Sequence, residues 1–363
     1  MTAKKQKAHS LLRRICYALA AFCGFFLFFS VLVLGLIVYY NAPPSRVPEA
    51  AQGIAQGITP EPDNTVLFEI RKGETARSVG SRLEEAGLIR SRHFWALLNR
   101  VQNEYIKTGT YRLELPLSQL AIHRIFVSGR QVLARITVPE GVTLKKAARI
   151  FDESGICSER DFLAAAEEKE LLSAYNIPGN TMEGYLFPDT YFFPVGYPAS
   201  GIIKKMADTF FERIGSIEPE ALAMNPAELN KRVIIASIVE REYRQAEEAP
   251  LMAGVFFNRL NIGMALQSCA TVEYVITEIQ GRPHPELLLN RDLEIRSPYN
   301  TYITPGLPPG PISSPGATAL SAAFHPQSSD YLYFRLTDPG RGIHYFSRTL
   351  DDHIRAGLLY VKK

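Results

Sequence analysis

KRVIIASIVEREY, residues 231–243, reads by its spacing as one short helix, and it carries a carboxylate where a carboxylate is expensive. At about 100° per residue, Ile235, Ile238, Val239 and Glu242 follow an i, i+3, i+4, i+7 pattern and share one face. Glu240 falls on the opposite side with Val233 and Ser237, so the two glutamates are not expected to enter one cleft. Glu242 continues the apolar stripe and Glu240 does not. Desolvation on an apolar face favours the neutral carboxyl, and the negative end of the helix dipole near Tyr243 pushes the same way. A carboxylic acid still protonated near neutral pH is what a general acid requires. The plainer alternative is a glutamate at the rim of the core with its tip in water.

The chain has 363 residues, enough for about two domains plus extras, and 46% hydrophobic content supplies real cores. Its net charge of +3, with no long basic stretch outside the first 14 residues, argues against nucleic acid as a partner. Ile15 to Tyr40 carries no charge over 26 residues, long enough to span a bilayer. Lys4, Lys5, Lys7, Arg13 and Arg14 precede it and place that end in the cytoplasm. The run is too long for a cleaved signal peptide and ends in Val38-Tyr39-Tyr40 rather than small residues. The expected order is therefore a cytoplasmic tail over 1–14 and a retained transmembrane helix over 15–40, with everything later outside. Cys16 and Cys23 lie in the anchor, while Cys157 and Cys269 are far apart in sequence and make no disulfide or zinc spacing. The histidines are scattered as well, so no metal and no cofactor are expected.

Residues 41–64, rich in proline and with a tandem Ala-Gln-Gly-Ile, read as a flexible linker holding the folded part off the membrane. An internal repeat follows: 66–94 aligns with 134–162 without a gap. Gly73 matches Gly141, Thr75 matches Thr143, Gly87 matches Gly155 and Phe94 matches Phe162. Each copy reads as a strand, a glycine turn, a threonine-capped amphipathic helix and a glycine stop. The first unit resembles a small glycan-binding module of the LysM kind. This divides the chain into a LysM-like module with its connecting segment over 65–130 and a second βα unit over 131–177. From 178 to 363 a mostly helical domain is expected, for an α+β fold overall. Its helices are Ser200–Ile214, Pro226–Tyr243 and Ala246–Leu260, with a short one ending at Ile279. A β-hairpin is expected from 331–336 and 344–347, and a last helix near Asp351. The aromatic-rich 183–194 reads either as a core strand or as a cleft wall suited to sugar rings. The proline-rich 297–318 reads as a rigid loop framing a site or as a plain surface loop.

Ile-Val-Glu-Arg-Glu (238–242), Val-Phe-Phe-Asn-Arg-Leu (255–260), Ile-Gly-Met-Ala-Leu-Gln (262–267), Tyr-Asn-Thr-Tyr (299–302), Gly-Leu-Pro-Pro-Gly-Pro-Ile (306–312) and Tyr-Leu-Tyr-Phe (331–334) stand in an order that resembles the endolytic murein transglycosylases. The resemblance covers roughly 66–360. It implies a single-pass enzyme of the bacterial cytoplasmic (inner) membrane, its catalytic domain periplasmic or extracellular, that cuts nascent peptidoglycan strands. It also leaves room for peptidoglycan synthases, the penicillin-binding proteins, as partners. The family's catalytic acid is the last Glu of Ile-x-Glu-x-Glu, which falls on Glu242. The resemblance implies that this one carboxyl cleaves the bond between N-acetylmuramic acid and N-acetylglucosamine and leaves a 1,6-anhydro end. Candidate substrate contacts are Glu183, Tyr185, Asp189, Gln267, Thr271, Asn300 and Tyr302. Where many relatives read Gln-x-Asp-Pro-Thr, this chain has Gln267-Ser268-Cys269-Ala270-Thr271, without that carboxylate. Two rivals stay open: a hydrolase of the same polymer, which needs a second carboxylate, and a non-catalytic glycan-binding scaffold in a wall-synthesis complex.

Overall fold

The computed structural model describes residues 2–44, 58–61 and 64–359. They form two compact units that divide between Val132 and Leu133.

The first unit begins with α1 (Thr2–Asn41). Its stretch Leu19–Asn41, of mean hydropathy 2.7, is long and apolar enough to cross a membrane. Then come β1 (Ile58–Glu61), β2 (Thr65–Ile70), α2 (Ala76–Glu85), α3 (Arg92–Gln102), β3 (Gly109–Glu114) and α4 (Gln119–Ser128). The strands form one antiparallel sheet in the order β1-β2-β3. Alternation along β2 turns Val66, Phe68 and Ile70 inward, where they meet Leu83, Trp95, Tyr111 and Phe126. β1 corrects the reading of 41–64 as linker throughout. Its residues 58–61 cover the open edge of β2, a position that tolerates Pro60 because an edge strand needs no donor there. The rest of that stretch, 45–57 and 62–63, lies outside the described residues.

The second unit contains β4 (Leu133–Thr137), α5 (Leu144–Glu153), α6 (Glu159–Ala166), α7 (Lys169–Ala174), β5 (Thr190–Pro194), α8 (Ala199–Ile217), α9 (Pro226–Glu242), α10 (Ala249–Asn261), α11 (Cys269–Tyr274), α12 (Ala317–Phe324), β6 (Tyr333–Asp338), β7 (Ile343–Ser347) and α13 (Leu350–Leu359). The repeat is real at the level of local chemistry. Thr75 accepts from Ser78 N–H to cap α2, and Thr143 accepts from Lys146 N–H to cap α5. Gly73 and Gly141 have φ of 81° and 72°, a turn that a side chain would strain. Ser91 and Ser158 then cap a second helix in each copy, α3 and α6, which the sequence reading left out.

The second copy is not a separate piece at 131–177. β4 pairs with β5 from beyond it, Ala134 opposite Phe193. Phe151 stacks on Phe162 at 5.0 Å and packs on Phe193 at 5.8 Å, so the helical body and this βα unit share one core. The aromatic stretch 183–194 therefore serves that core. Tyr185, Phe187, Tyr191 and Phe193 are buried, and Phe192 is the exposed one.

α9 is the central helix. Asn225 caps it by accepting from Ala227 N–H at 2.9 Å, and Pro226 fills its first turn, where no amide partner is needed. The side opposite the apolar stripe is no more exposed than the stripe itself: Val233 and Ser237 are as buried as Ile235 and Ile238. The cover is α12 together with the end of the proline-rich loop. Arg232 donates to the Ala323 carbonyl at 2.8 Å, and Ser313 Oγ donates to the Ser237 carbonyl at 2.9 Å. α12 escaped the sequence reading because a helix apolar all round shows no amphipathic period. The helix expected from Ala246 starts three residues later, at Ala249, with Pro250 in its first turn.

Candidate active site

Glu242 is the last residue of α9, and the chain leaves the helix at Tyr243, whose N–H still bonds the Val239 carbonyl. Its carboxyl accepts from Ser268 Oγ at 2.5 Å. Ser268 is itself pinned by its backbone. Its N–H donates to Thr301 Oγ1 at 3.1 Å, and its carbonyl accepts from Thr271 Oγ1 at 2.7 Å. Thr271 and Thr301 share a hydrogen bond of 2.9 Å. The preceding residue, Gln267, has φ of 50°, left-handed backbone that a non-glycine residue rarely adopts. That turn presents the Gln267 side chain and the Ser268 hydroxyl to one cavity.

The cavity holds about 300 Å³, and Glu242 contributes to its wall together with Gln267, Ser268, Cys269 and Tyr302. α10 adds Phe256 and Arg259, the hairpin adds Tyr333 and Phe334, and the C-terminal segment adds Leu350 and His353. Arg259 ties these parts together. Its guanidinium donates to the carbonyls of Leu332 at 2.6 Å and Leu266 at 2.7 Å, and lies 5.1 Å from the centre of the Tyr333 ring. Cys269 Sγ is 3.2 Å from the Tyr302 hydroxyl. Burial lowers the His353 pKa and so favours the neutral ring.

Burial alone does not single out Glu242. It pushes Glu183 up to about 8 and Glu240 up to about 7, and it raises Glu242 as well, the Ser268 hydroxyl pulling the other way. Geometry separates the three. Both oxygens of Glu183 accept from Leu144 N–H, at 3.0 and 3.1 Å, at the start of α5. Glu240 accepts from Gly316 N–H at 2.9 Å at the start of α12. Each of these carboxyls is used on orphan amides at a helix N-terminus. Glu242 is held by a side-chain hydroxyl and faces a cavity. It is the one carboxylate among the described residues of that lining.

Of the residues expected at the site, Glu242, Gln267 and Tyr302 line the cavity; Glu183, Tyr185, Asp189, Thr271 and Asn300 do not. The physical reasons differ. Tyr185 is a core ring with its hydroxyl on Asn230 at 2.8 Å. Asp189 bonds the next backbone N–H, at Thr190, and faces Arg213 at 3.6 Å. Thr271 is buried in the hydroxyl network beneath Ser268. Asn300 donates to the carbonyls of Leu293 and Ile295, each at 2.9 Å, and accepts from Tyr302 N–H. Its place is to shape the loop that carries Tyr302. The sequence reading did not single out Arg259, Tyr333 or His353. Arg259 and Tyr333 sat inside two quoted motifs, but a motif names no direction for a side chain. His353 gave no signal at all.

The YceG-like family matches residues 68–357. The chain is 30% identical over 331 residues to the endolytic murein transglycosylase of Bacillus subtilis (strain 168), spanning 85% of this chain and 89% of that protein. It is also 30% identical over 323 residues to the endolytic murein transglycosylase of Streptococcus pneumoniae (strain R6), but there it spans only 57% of the relative's length. The crystal structure of a yceG-like protein from Listeria monocytogenes superposes with a TM-score of 0.55 at 30% identity, covering 81% of this chain and 99% of that one.

Proposed function

This chain belongs to the YceG-like family and is an endolytic murein transglycosylase, a lytic transglycosylase of peptidoglycan, and from that premise we propose that Glu242 is the carboxyl that does its chemistry. Glu242 in its neutral form protonates the glycosidic oxygen between N-acetylmuramic acid and N-acetylglucosamine. As the C1–O bond breaks, the proton stays with the departing sugar hydroxyl. The resulting carboxylate takes the proton from the 6-hydroxyl of the muramic ring, whose oxygen closes onto C1. The product is a 1,6-anhydro end, Glu242 is neutral again, and no water is consumed. Because the nucleophile belongs to the same sugar, its approach costs little translational entropy.

The observation that carries this reading is a half-buried carboxyl, its pKa raised by desolvation, on a cavity wall with no second carboxylate in the described lining. A hydrolase needs a second one to activate water. Asp189 and Asp292 lie outside that lining and are engaged elsewhere: Asp189 accepts from Thr190 N–H, and Asp292 from Leu289 N–H at 2.9 Å. Gln267 and Tyr302 are the proposed sugar contacts. Arg259, fixed to two carbonyls, is proposed to hold the hairpin against the cavity. The first unit, on its resemblance to LysM modules, is assigned a supporting hold on the glycan. α1 is read as a retained anchor in the cytoplasmic membrane, with the rest of the chain outside.

Glu242→Gln keeps the shape but cannot cycle a proton, and a general acid–base residue is worth about 10²–10⁴ in rate. The substitution is expected to lower cleavage of isolated glycan strands at least that far. Glu240→Gln, which keeps an oxygen for Gly316 N–H, is expected to cost less than about tenfold, because one neutral hydrogen bond is worth about 1 kcal/mol. Equal losses from the two would remove the assignment.

A further inference from the structure

The end of α1 does not stand clear of the first unit. Arg90 donates to the Pro43 carbonyl at 2.9 and 2.7 Å and lies 4.8 Å from the centre of the Tyr39 ring. Leu120 N–H donates to Asn41 Oδ1 at 2.9 Å, and Tyr40 stacks on Phe94 at 6.3 Å. Between the last turns of α1 and the start of α3 lies a cavity of about 400 Å³, lined by Val33, Leu36, Ile37 and Tyr40 on one side and by Ser91, His93, Phe94 and Leu97 on the other. α3 buries Trp95, yet leaves Leu97 54% and Val101 71% exposed. Phe94, Leu97 and Val101, at i, i+3 and i+7, form one apolar face turned away from the core of the unit.

Helix length places this face in depth. From Ile15 to Tyr40 the uncharged run measures about 39 Å at 1.5 Å per residue, about 9 Å more than the hydrocarbon thickness. With Arg13 and Arg14 at one boundary, the surplus falls on Gly35–Tyr40, which include Leu36, Ile37 and Tyr40 of the cavity wall. Tyr39 and Tyr40 are side chains suited to a membrane–water interface. His93, which also lines the cavity, and Arg100 are exposed along one side of the apolar face and put polar and positive side chains at headgroup level.

We propose that this cavity and the exposed face of α3 are a lipid-binding surface: α3 lies in the acyl–headgroup boundary beside the exit of α1, with phospholipid acyl chains on Leu97 and Val101. The first unit is then seated on the bilayer instead of being held off it by a linker. The inference rests on the reading of α1 as a membrane anchor, and the test separates the two. The full-length protein, with Cys16, Cys23, Cys157 and Cys269 replaced, is labelled with pyrene at a single Leu97→Cys or, separately, at Phe28→Cys within α1. Each is reconstituted into phosphatidylethanolamine–phosphatidylglycerol vesicles containing lipids with a nitroxide on the acyl chain, near the headgroup for position 97 and deep in the chain for position 28. Quenching by about twofold or more at both positions is expected for an interfacial helix beside a spanning one. Quenching at 28 with none at 97 overturns the proposal while leaving the anchor intact. No quenching at 28 overturns the anchor reading first, and the proposal with it. Pyrene excimer emission at 97 without quenching means that a second copy of the chain covers this face, and also overturns it.

Discussion

Ser268 Oγ donates to Glu242 Oε1 at 2.5 Å, and the serine is fixed by Thr301 and Thr271 through its own backbone. The donor aims the carboxyl and favours its charged form, opposing the burial that favours the neutral one. Ser268→Ala should therefore do two separable things. Losing a hydrogen bond to a group that becomes charged costs about 1.5–3 kcal/mol, so kcat should fall about 10–100-fold with KM little changed. The alkaline limb of the pH–rate profile should move to higher pH, since the remaining influences raise the Glu242 pKa. Ser268→Thr keeps the hydroxyl and should restore both. A fall in rate with an unmoved alkaline limb would mean that Ser268 only packs.

A buried carboxyl without a cation against it should show in stability. Burial pushes Glu183 up to about 8 from an ordinary value near 4.5. The folded state therefore binds its proton more tightly than the unfolded chain. That stabilisation is complete below about pH 4.5 and is lost as pH rises through about 8. Glu240, pushed up to about 7, acts in the same direction. The melting temperature of the full chain in detergent should fall between pH 5 and 8, and Glu183→Gln should flatten part of that slope. Circular dichroism is the suitable probe, because the chain's one tryptophan, Trp95, lies in the first unit and Glu183 in the second. Superimposable slopes would mean that Glu183 is ionised throughout, held by the amide at the start of α5.

Topology has its own test. A reporter enzyme active only outside the cytoplasm, fused after Lys363, should be active. Silence there, with a cytoplasmic reporter working at the same place, would take away both the orientation and access to peptidoglycan.

Much of the architecture was legible because it is written in local chemistry. Thr75 and Thr143 announce helix starts, Gly73 and Gly141 announce turns, and alternation marks β2; each acts within a few residues. The hairpin of β6 and β7 was readable for the same reason. Glu242 lines the cavity, but the stripe it continues does not by itself set it apart from Glu240. The opposite side of the helix, with Val233 and Ser237, is equally buried, under α12 and the proline-rich loop. What selects Glu242 over Glu240 is the Gly316 amide waiting beside Glu240, a contact between residues 76 positions apart. No helical periodicity reports that. Glu183 and Asn300 misled for a related reason: a buried polar side chain in a motif is as often holding backbone as touching substrate. Arg259 and His353 were missed because their value lies in what comes to meet them from the hairpin and α13.

On the proposed chemistry a lone Glu242 both gives and takes the proton, with no water in the reaction. Full-length protein and its Glu242→Gln variant are incubated with uncrosslinked glycan strands, and the fragments are weighed. The wild-type chain should create new ends within strands, each lighter than a hydrolysed end by the mass of one water, and the variant should create almost none. New ends that carry the water, or light ends made by the variant at the wild-type rate, would contradict it.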